Sequence, residues 1–67
     1  MARRDDDTVW VTVDIKAESE KSWLLSDSRV TAWVQKSYII DWEDDPYVGI
    51  TTDVELPAWL AEEKGFA

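Results

Sequence analysis

Carboxylates are the side chains with the most chemistry to offer in this 67-residue chain, and they are bunched. Asp41, Glu43, Asp44 and Asp45 fall within one run, DWEDDP, and Asp53 and Glu55 follow at alternate positions of TTDVEL. Such groups can work as an acid–base pair, as oxygen ligands for a hard cation, or as a negatively charged surface. The first use fits poorly. Two carboxylates can suffice for glycoside hydrolysis, but the substrate also needs a cleft, which a domain this small rarely forms. The chain has no cysteine and no histidine. That removes thiol nucleophiles, imidazole bases, Ser-His-Asp triads and zinc–thiolate sites. The second use fits little better, because DWEDDP lacks the glycine and the ligand spacing of an EF-hand loop. The sequence therefore predicts no enzyme, no resident metal and no cofactor.

The third use agrees with the charge balance. Fifteen acidic residues oppose seven basic ones, for a formal charge of −8. A surface of that sign repels nucleic acid and anionic membranes, and binding to phosphates needs the opposite sign. No apolar run is long enough to span a bilayer. The expected partner is a protein with a basic surface, with no direct nucleic-acid or membrane contact.

Something must position these residues. A chain this short makes one domain at most, and near 70 residues the net stability left after chain entropy is small. Large buried side chains must compensate. Trp10, Trp23, Trp33, Trp42 and Trp59 are spread along the chain, which predicts a core fed by every segment, with one or two tryptophans partly exposed.

Residues 1–7 (MARRDDD) are polar and aperiodic and predict a mobile start, with the domain covering 8–67. In TVWVTVDIK, Val9, Val11, Val13 and Ile15 alternate with Trp10, Thr12 and Asp14, the clearest strand signal in the chain. The valines should face the core, leaving Trp10 on the other face as an exposed aromatic. A second strand is expected within Glu18–Leu25 and a third over Val30–Gln35. Between them lies a Ser26–Arg29 turn that lacks the glycine of an ideal primed hairpin. Tyr38–Glu43 reads as a fourth strand or a short helical turn running into one. Asp44–Pro46 is a turn, and Val48–Leu56 a fifth strand with Ile50, Thr52, Val54 and Leu56 on one face. Pro57 to Lys64 followed by Gly65 predicts a two-turn helix, with proline at its start and glycine just past its end. Leu56, Trp59 and Leu60 form its docking face. The sum is a mainly β domain with one short C-terminal α-helix (α+β). It should form a small bent antiparallel sheet or SH3-like partial barrel of four to five strands.

On that plan Asp41 and Glu43 share one face of the fourth strand, and Asp53 and Glu55 one face of the fifth. If the two strands pair, the four carboxylates line one surface. Alternate residues of a strand lie about 6.6–6.8 Å apart. That is of the same order as the spacing of neighbouring phosphates on a nucleic-acid strand, whose axial component is about 3.4 Å. Like charges facing each other cost stability, so such a row suggests a use beyond solubility. Asp5, Asp6 and Asp7 could extend it, and Trp42 or Trp10 could add an apolar anchor.

The second half also resembles a known group. Trp33-Val34-Gln35-Lys36-Ser37-Tyr38-Ile39, followed by Leu56-Pro57-Ala58-Trp59-Leu60-Ala61-Glu62-Glu63-Lys64-Gly65-Phe66, is similar to small proteins encoded by bacteriophages and prophages. Those carry a W-x-P-K-S-x-I segment before a terminal V-P-x-W-L-A-x-x-K-G-L. Thr12 to Ile15 and Glu18 to Leu25 are similar too. Gln35 departs from the proline of that pattern and Phe66 from its last leucine. The motif brings helix geometry and no catalytic residues. The group looks like accessory genes. No apolar h-region follows the two arginines of MARRDDD, so no signal peptide is expected, and the expected location is the cytoplasm of a bacterial host.

Small acidic phage proteins include anti-CRISPR proteins, several of which imitate DNA; the analogy is one of size, charge and apparent origin. It implies an inhibitor of a host defence complex, and as partner a basic nucleic-acid-binding subunit of a CRISPR effector. The residues expected to contact it are Asp41, Glu43, Asp44, Asp45, Asp53 and Glu55, with Trp42 and Trp10. The alternative is a phage accessory protein that binds a replication or recombination protein through exposed aromatics, without mimicry. A monomer, or a weak homodimer joined by a strand edge, is expected.

Overall fold

A computed structural model describes residues 7–66. Five strands, β1 (Thr8–Glu18), β2 (Ser22–Ser26), β3 (Thr31–Gln35), β4 (Asp41–Trp42) and β5 (Thr51–Pro57), precede one helix, α1 (Ala58–Lys64). All pairings are antiparallel, in the open order β3-β2-β1-β5-β4. The domain is thus mainly β with one short C-terminal helix.

The period-two pattern of β1 governs the architecture. Val13 and Ile15 are buried while Trp10, Thr12 and Lys16 are exposed. β5 answers with the same parity: Thr52, Val54 and Leu56 are buried between less buried neighbours. The register pairs Val11 with Val54 and Val9 with Leu56, so the apolar sides coincide. β2 adds Trp23 and Leu25 to that side, and β3 adds Val34. Leu60, Ala61 and Phe66 cover it from the C-terminal end.

The core is mostly aliphatic, and only Trp23 of the five tryptophans is fully part of it. Trp10, Trp33 and Trp59 are all exposed, more than the one or two expected. Trp59 does not dock the helix; it leaves the core to Leu60 and Ala61 and meets Tyr38 edge to face at 5.6 Å. The helix begins one residue later than expected, at Ala58, because Pro57 is still paired with Thr8 as the last residue of β5. It ends at Gly65, whose φ of 89° is the left-handed geometry that glycine adopts at a helix end.

The sheet is strongly curled. β2 and β4 are separated by two strands, yet Trp23 and Trp42 touch edge to face with centroids 5.8 Å apart. A bulge between Ile15 and Ala17 bends β1 and carries it two residues beyond its expected end at Lys16. After β3, a single 3-10 turn (Lys36–Tyr38) crosses towards β4 at the far edge. The fifth strand starts at Thr51 and not at Val48, because Gly49 (φ 104°) still belongs to the turn.

The β2–β3 turn shows how the chain manages without glycine. No described non-glycine residue has a positive φ, so no primed turn forms. Instead the Asp27 carboxylate accepts the N–H groups of Arg29 (2.7 Å) and Val30 (2.8 Å). These two bonds, Arg29 first, hold the Asp27 carboxyl below its ordinary value of 3.8. A depressed folded-state pKa gives stability that is present above the unfolded value and lost as pH falls through the folded one. Asp27→Asn should therefore flatten the fall of the melting temperature below about pH 4, while Asp27→Ala should lower it at neutral pH as well. Thermal melts between pH 2 and 7 read both effects.

Of the predicted N-terminal segment, residues 1–6 lie outside the described residues. The Asp7 carbonyl accepts the Ala58 N–H at 2.9 Å, which ties the start of β1 to the start of α1.

Candidate functional site: an acidic sheet face

The face opposite the core is where the carboxylates gather. β4 pairs Asp41 with Glu55, and the Glu43 N–H continues the ladder to the Asp53 carbonyl at 2.9 Å. On the other side of β5, Glu55 pairs with Trp10 and Asp53 with Thr12. Two rows therefore cross three strands: Asp41, Glu55, Trp10 and, beside it, Glu43, Asp53, Thr12. Directly opposed side chains have Cβ atoms about 4.5–5.5 Å apart, and the rows are about 6.6–6.8 Å apart.

Strand parity places all four carboxylates together. Asp41 and Glu43 are exposed around the half-buried Trp42, and Asp53 and Glu55 flank the fully buried Val54. Asp14 belongs to the same surface through its pairing with Thr51. It was not among the expected contact residues, although it shares the parity of Trp10 and Thr12.

Among the described residues, threonine hydroxyls hold three of these acids. The Thr8 hydroxyl donates to Glu55 Oε2 and the Thr12 hydroxyl to Asp53 Oδ1, each at 2.6 Å. Thr51 donates to Asp14 Oδ1, and Asp41 Oδ1 accepts the Trp42 N–H at 2.8 Å. Among the described residues an ion pair joins Lys36 and Glu18, at the opposite end of the sheet. Among the described residues, the outward lysine of these strands is Lys16 of β1, which follows Asp14 at the β2 end; none is paired with Asp41, Glu43, Asp53 or Glu55. The three threonines were not singled out from the sequence; their signal was the same alternation, one strand away from each acid.

Other expected contact residues fall elsewhere. Trp42 is a correction. Its register with buried Val54 and its contact with Trp23 put it on the core side, away from the acids. Asp44 turns towards the core side too: its N–H lies 3.3 Å from the Thr52 hydroxyl, which in turn reaches its carboxylate at 3.5 Å. Asp45 is exposed beyond the end of the ladder. Asp5 and Asp6 lie outside the described residues. Trp10, with 48% of its surface exposed, sits directly beside Glu55. Among the described residues no group of three or more acids has the geometry of a metal site, and no helix is long and apolar enough to cross a membrane.

What this arrangement can do chemically is bind cations presented by another surface. Four of its five carboxylates have a hydrogen-bond donor holding them and all five still have free acceptor capacity, so a guanidinium or ammonium can approach from the open side. No protein-family model matches the chain, and neither a curated protein nor a solved structure is detectably similar to it.

Proposed function

We propose that the chain is a phage-encoded inhibitor of a host defence complex, of the anti-CRISPR kind, acting as an acidic DNA mimic. It would occupy the basic nucleic-acid-binding surface of an effector subunit. The observation that carries this reading is the two-row carboxylate array of Asp41, Glu43, Asp53 and Glu55, with no cation among them in the described residues. Arginine and lysine side chains that normally meet phosphates would meet these carboxylates at a comparable spacing. Charge complementarity of this kind speeds encounter and is screened by salt.

The test is capture from a bacterial lysate with tagged protein, washed at about 0.05 M and about 0.5 M salt, where the screening length differs several-fold. The expected catch is a nucleic-acid-binding protein that high salt releases and that excess duplex DNA displaces. A partner that stays bound at high salt and ignores DNA defeats the mimicry. That outcome would favour docking through exposed aromatics onto a replication or recombination protein, for which the exposure of Trp10 beside Glu55 is the supporting observation.

A further inference from the structure

The charge of the sheet is segregated from edge to edge. β5 and β4 carry Asp53, Glu55 and Asp41, whereas no residue of β2 or β3 is charged. The two edges are also managed differently. β4 is two residues long and begins with an aspartate, both of which discourage strand addition. β3 is five residues long, unbroken in register with β2, and free of charge, proline and glycine. It has none of the usual protections of an exposed edge.

Hydrogen-bond parity shows what that edge offers. The Asp27 N–H bonds the Val30 carbonyl at 3.0 Å and the Lys36 N–H bonds the Lys21 carbonyl at 2.7 Å. Bonded pairs alternate along an antiparallel ladder, so the bonded pairs between are Leu25 with Ala32 and Trp23 with Val34. The N–H and C=O groups of Thr31, Trp33 and Gln35 consequently point away from β2, to the free edge.

We propose that this edge pairs with the same edge of a second copy, forming a two-fold homodimer centred on Trp33. An isologous antiparallel pairing places Trp33 against its own image and Thr31 against Gln35. In that register no charged side chain faces another along the strands. At the flanks, Lys36 carries its own partner Glu18, and Arg29 lies in electrostatic range of the Asp27 carboxylate. For a chain of charge −8 this matters, because most other surfaces would bring acids together. Among the described residues, the half of β1 over residues 8–13 is a further stretch with no ladder to β2, but it lies beside Glu55 and Asp53. Pairing there would stack two acidic faces, whereas pairing through β3 sends them to opposite ends of a continuous ten-stranded sheet.

The aromatics beside the edge favour the same occupant. Trp33 is 47% exposed, and an open groove of about 490 Å³ runs beside it, walled by Tyr38 and Trp59. A second Trp33 ring would meet these rings instead of water, and cross-strand aromatic pairs are stabilising. A single strand pair with a few aromatics covers less than a standard interface of about 1,200 Å² or more, which puts the affinity in a weak, concentration-dependent range. This inference is independent of the mimicry reading, since the acidic face lies across the sheet.

Sedimentation equilibrium at about 5 μM and about 500 μM brackets a dissociation constant in the micromolar range. The expected result is monomer at the lower concentration and dimer at the higher. Trp33→Lys and Trp33→Glu should each be monomeric throughout, because each places like charges face to face at the two-fold axis. Mixed in equal amounts, the two variants should associate again. Trp33 is half exposed, so both variants should keep the wild-type far-ultraviolet circular dichroism. A wild-type monomer at both concentrations overturns the proposal, even if a foreign peptide is later found on the edge. So does a dimer that survives either variant, or a mixture of folded monomeric variants that does not associate.

Discussion

Trp23→Ala is expected to remove most of the stability of this domain. For a chain of 67 residues the folding free energy is about 3–10 kcal/mol, at roughly 0.05–0.15 kcal/mol per residue. Truncating a buried tryptophan typically costs about 3–5 kcal/mol. The position of Trp23 argues for the upper part of that range. It is 7% exposed, packs edge to face on Trp42, and has the Lys36 ammonium 5.0 Å from its ring centroid. Trp23 belongs to β2 and Trp42 to β4, so this contact closes the curl between strands that share no ladder. Lys36 lies in the crossing from β3 to β4 and is also held by Glu18 of β1. Removing the indole therefore loosens β2, β4 and the crossing together. In a domain of this size about 1 kcal/mol moves the melting temperature by about 4–8 °C, so a fall of roughly 15 °C or more is expected. Trp10→Ala is the control, since an exposed substitution usually stays within about 0.5 kcal/mol. Equal melting temperatures for the two variants would refute a closing role for Trp23.

Trp42 and Trp10 also show how far the sequence could be read. Alternation along TVWVTVDIK placed Trp10 on the open face, and it is there. The same rule applied to Asp41, Trp42 and Glu43 puts Trp42 on the face opposite its neighbours, so its place beside Trp23 was legible and the expectation of an acidic-face anchor ignored it. Pairing of the two acid-bearing strands was legible only as a condition, because the register of Asp41 with Glu55 is set across the connection of residues 43–50. What periodicity could not show was the irregular part. The bulge after Ile15 shifts the parity of β1 and moves the following turn to Ser19–Lys21. A short helical turn running into a strand was one of the two readings of Tyr38–Glu43; the 3-10 turn starts two residues earlier, at Lys36, and β4 keeps only Asp41 and Trp42. Trp59 has the spacing of a helix docking face, but a seven-residue helix needs only Leu60 and Ala61 against the sheet. Tyr38, 21 positions earlier in the chain, then takes the ring. These outcomes depend on distant partners that no local pattern encodes.

The combined variant Asp41→Asn, Glu43→Gln, Asp53→Asn and Glu55→Gln should be at least as stable as the parent and should lose its partner. Amides keep the shape of the side chains, and their carbonyl oxygens can still accept the Thr8 and Thr12 hydroxyls that hold Glu55 and Asp53. The change therefore removes charge with little disturbance of geometry. Asp41 faces Glu55, and Glu43 faces Asp53. Cross-strand like-charge pairs destabilise by about 0.2–1 kcal/mol each, so relieving two should raise the melting temperature by a few degrees. Binding should move the other way. Losing one desolvated charge pair costs about 2–5 kcal/mol, so removing four carboxylates from a contact should weaken it on the order of 10³-fold or more. The salt dependence of whatever binding remains should flatten. A thermal melt and a titration against the captured partner read the two effects separately. A rise in stability with unchanged affinity would mean that the array is a costly solvated face with no part in binding. A fall in stability would mean that the carboxylates are structural. Opposite signs on the two measurements are what a surface maintained for its charge requires, because acids facing each other across strands oppose folding, and cations presented by another molecule relieve that cost on binding.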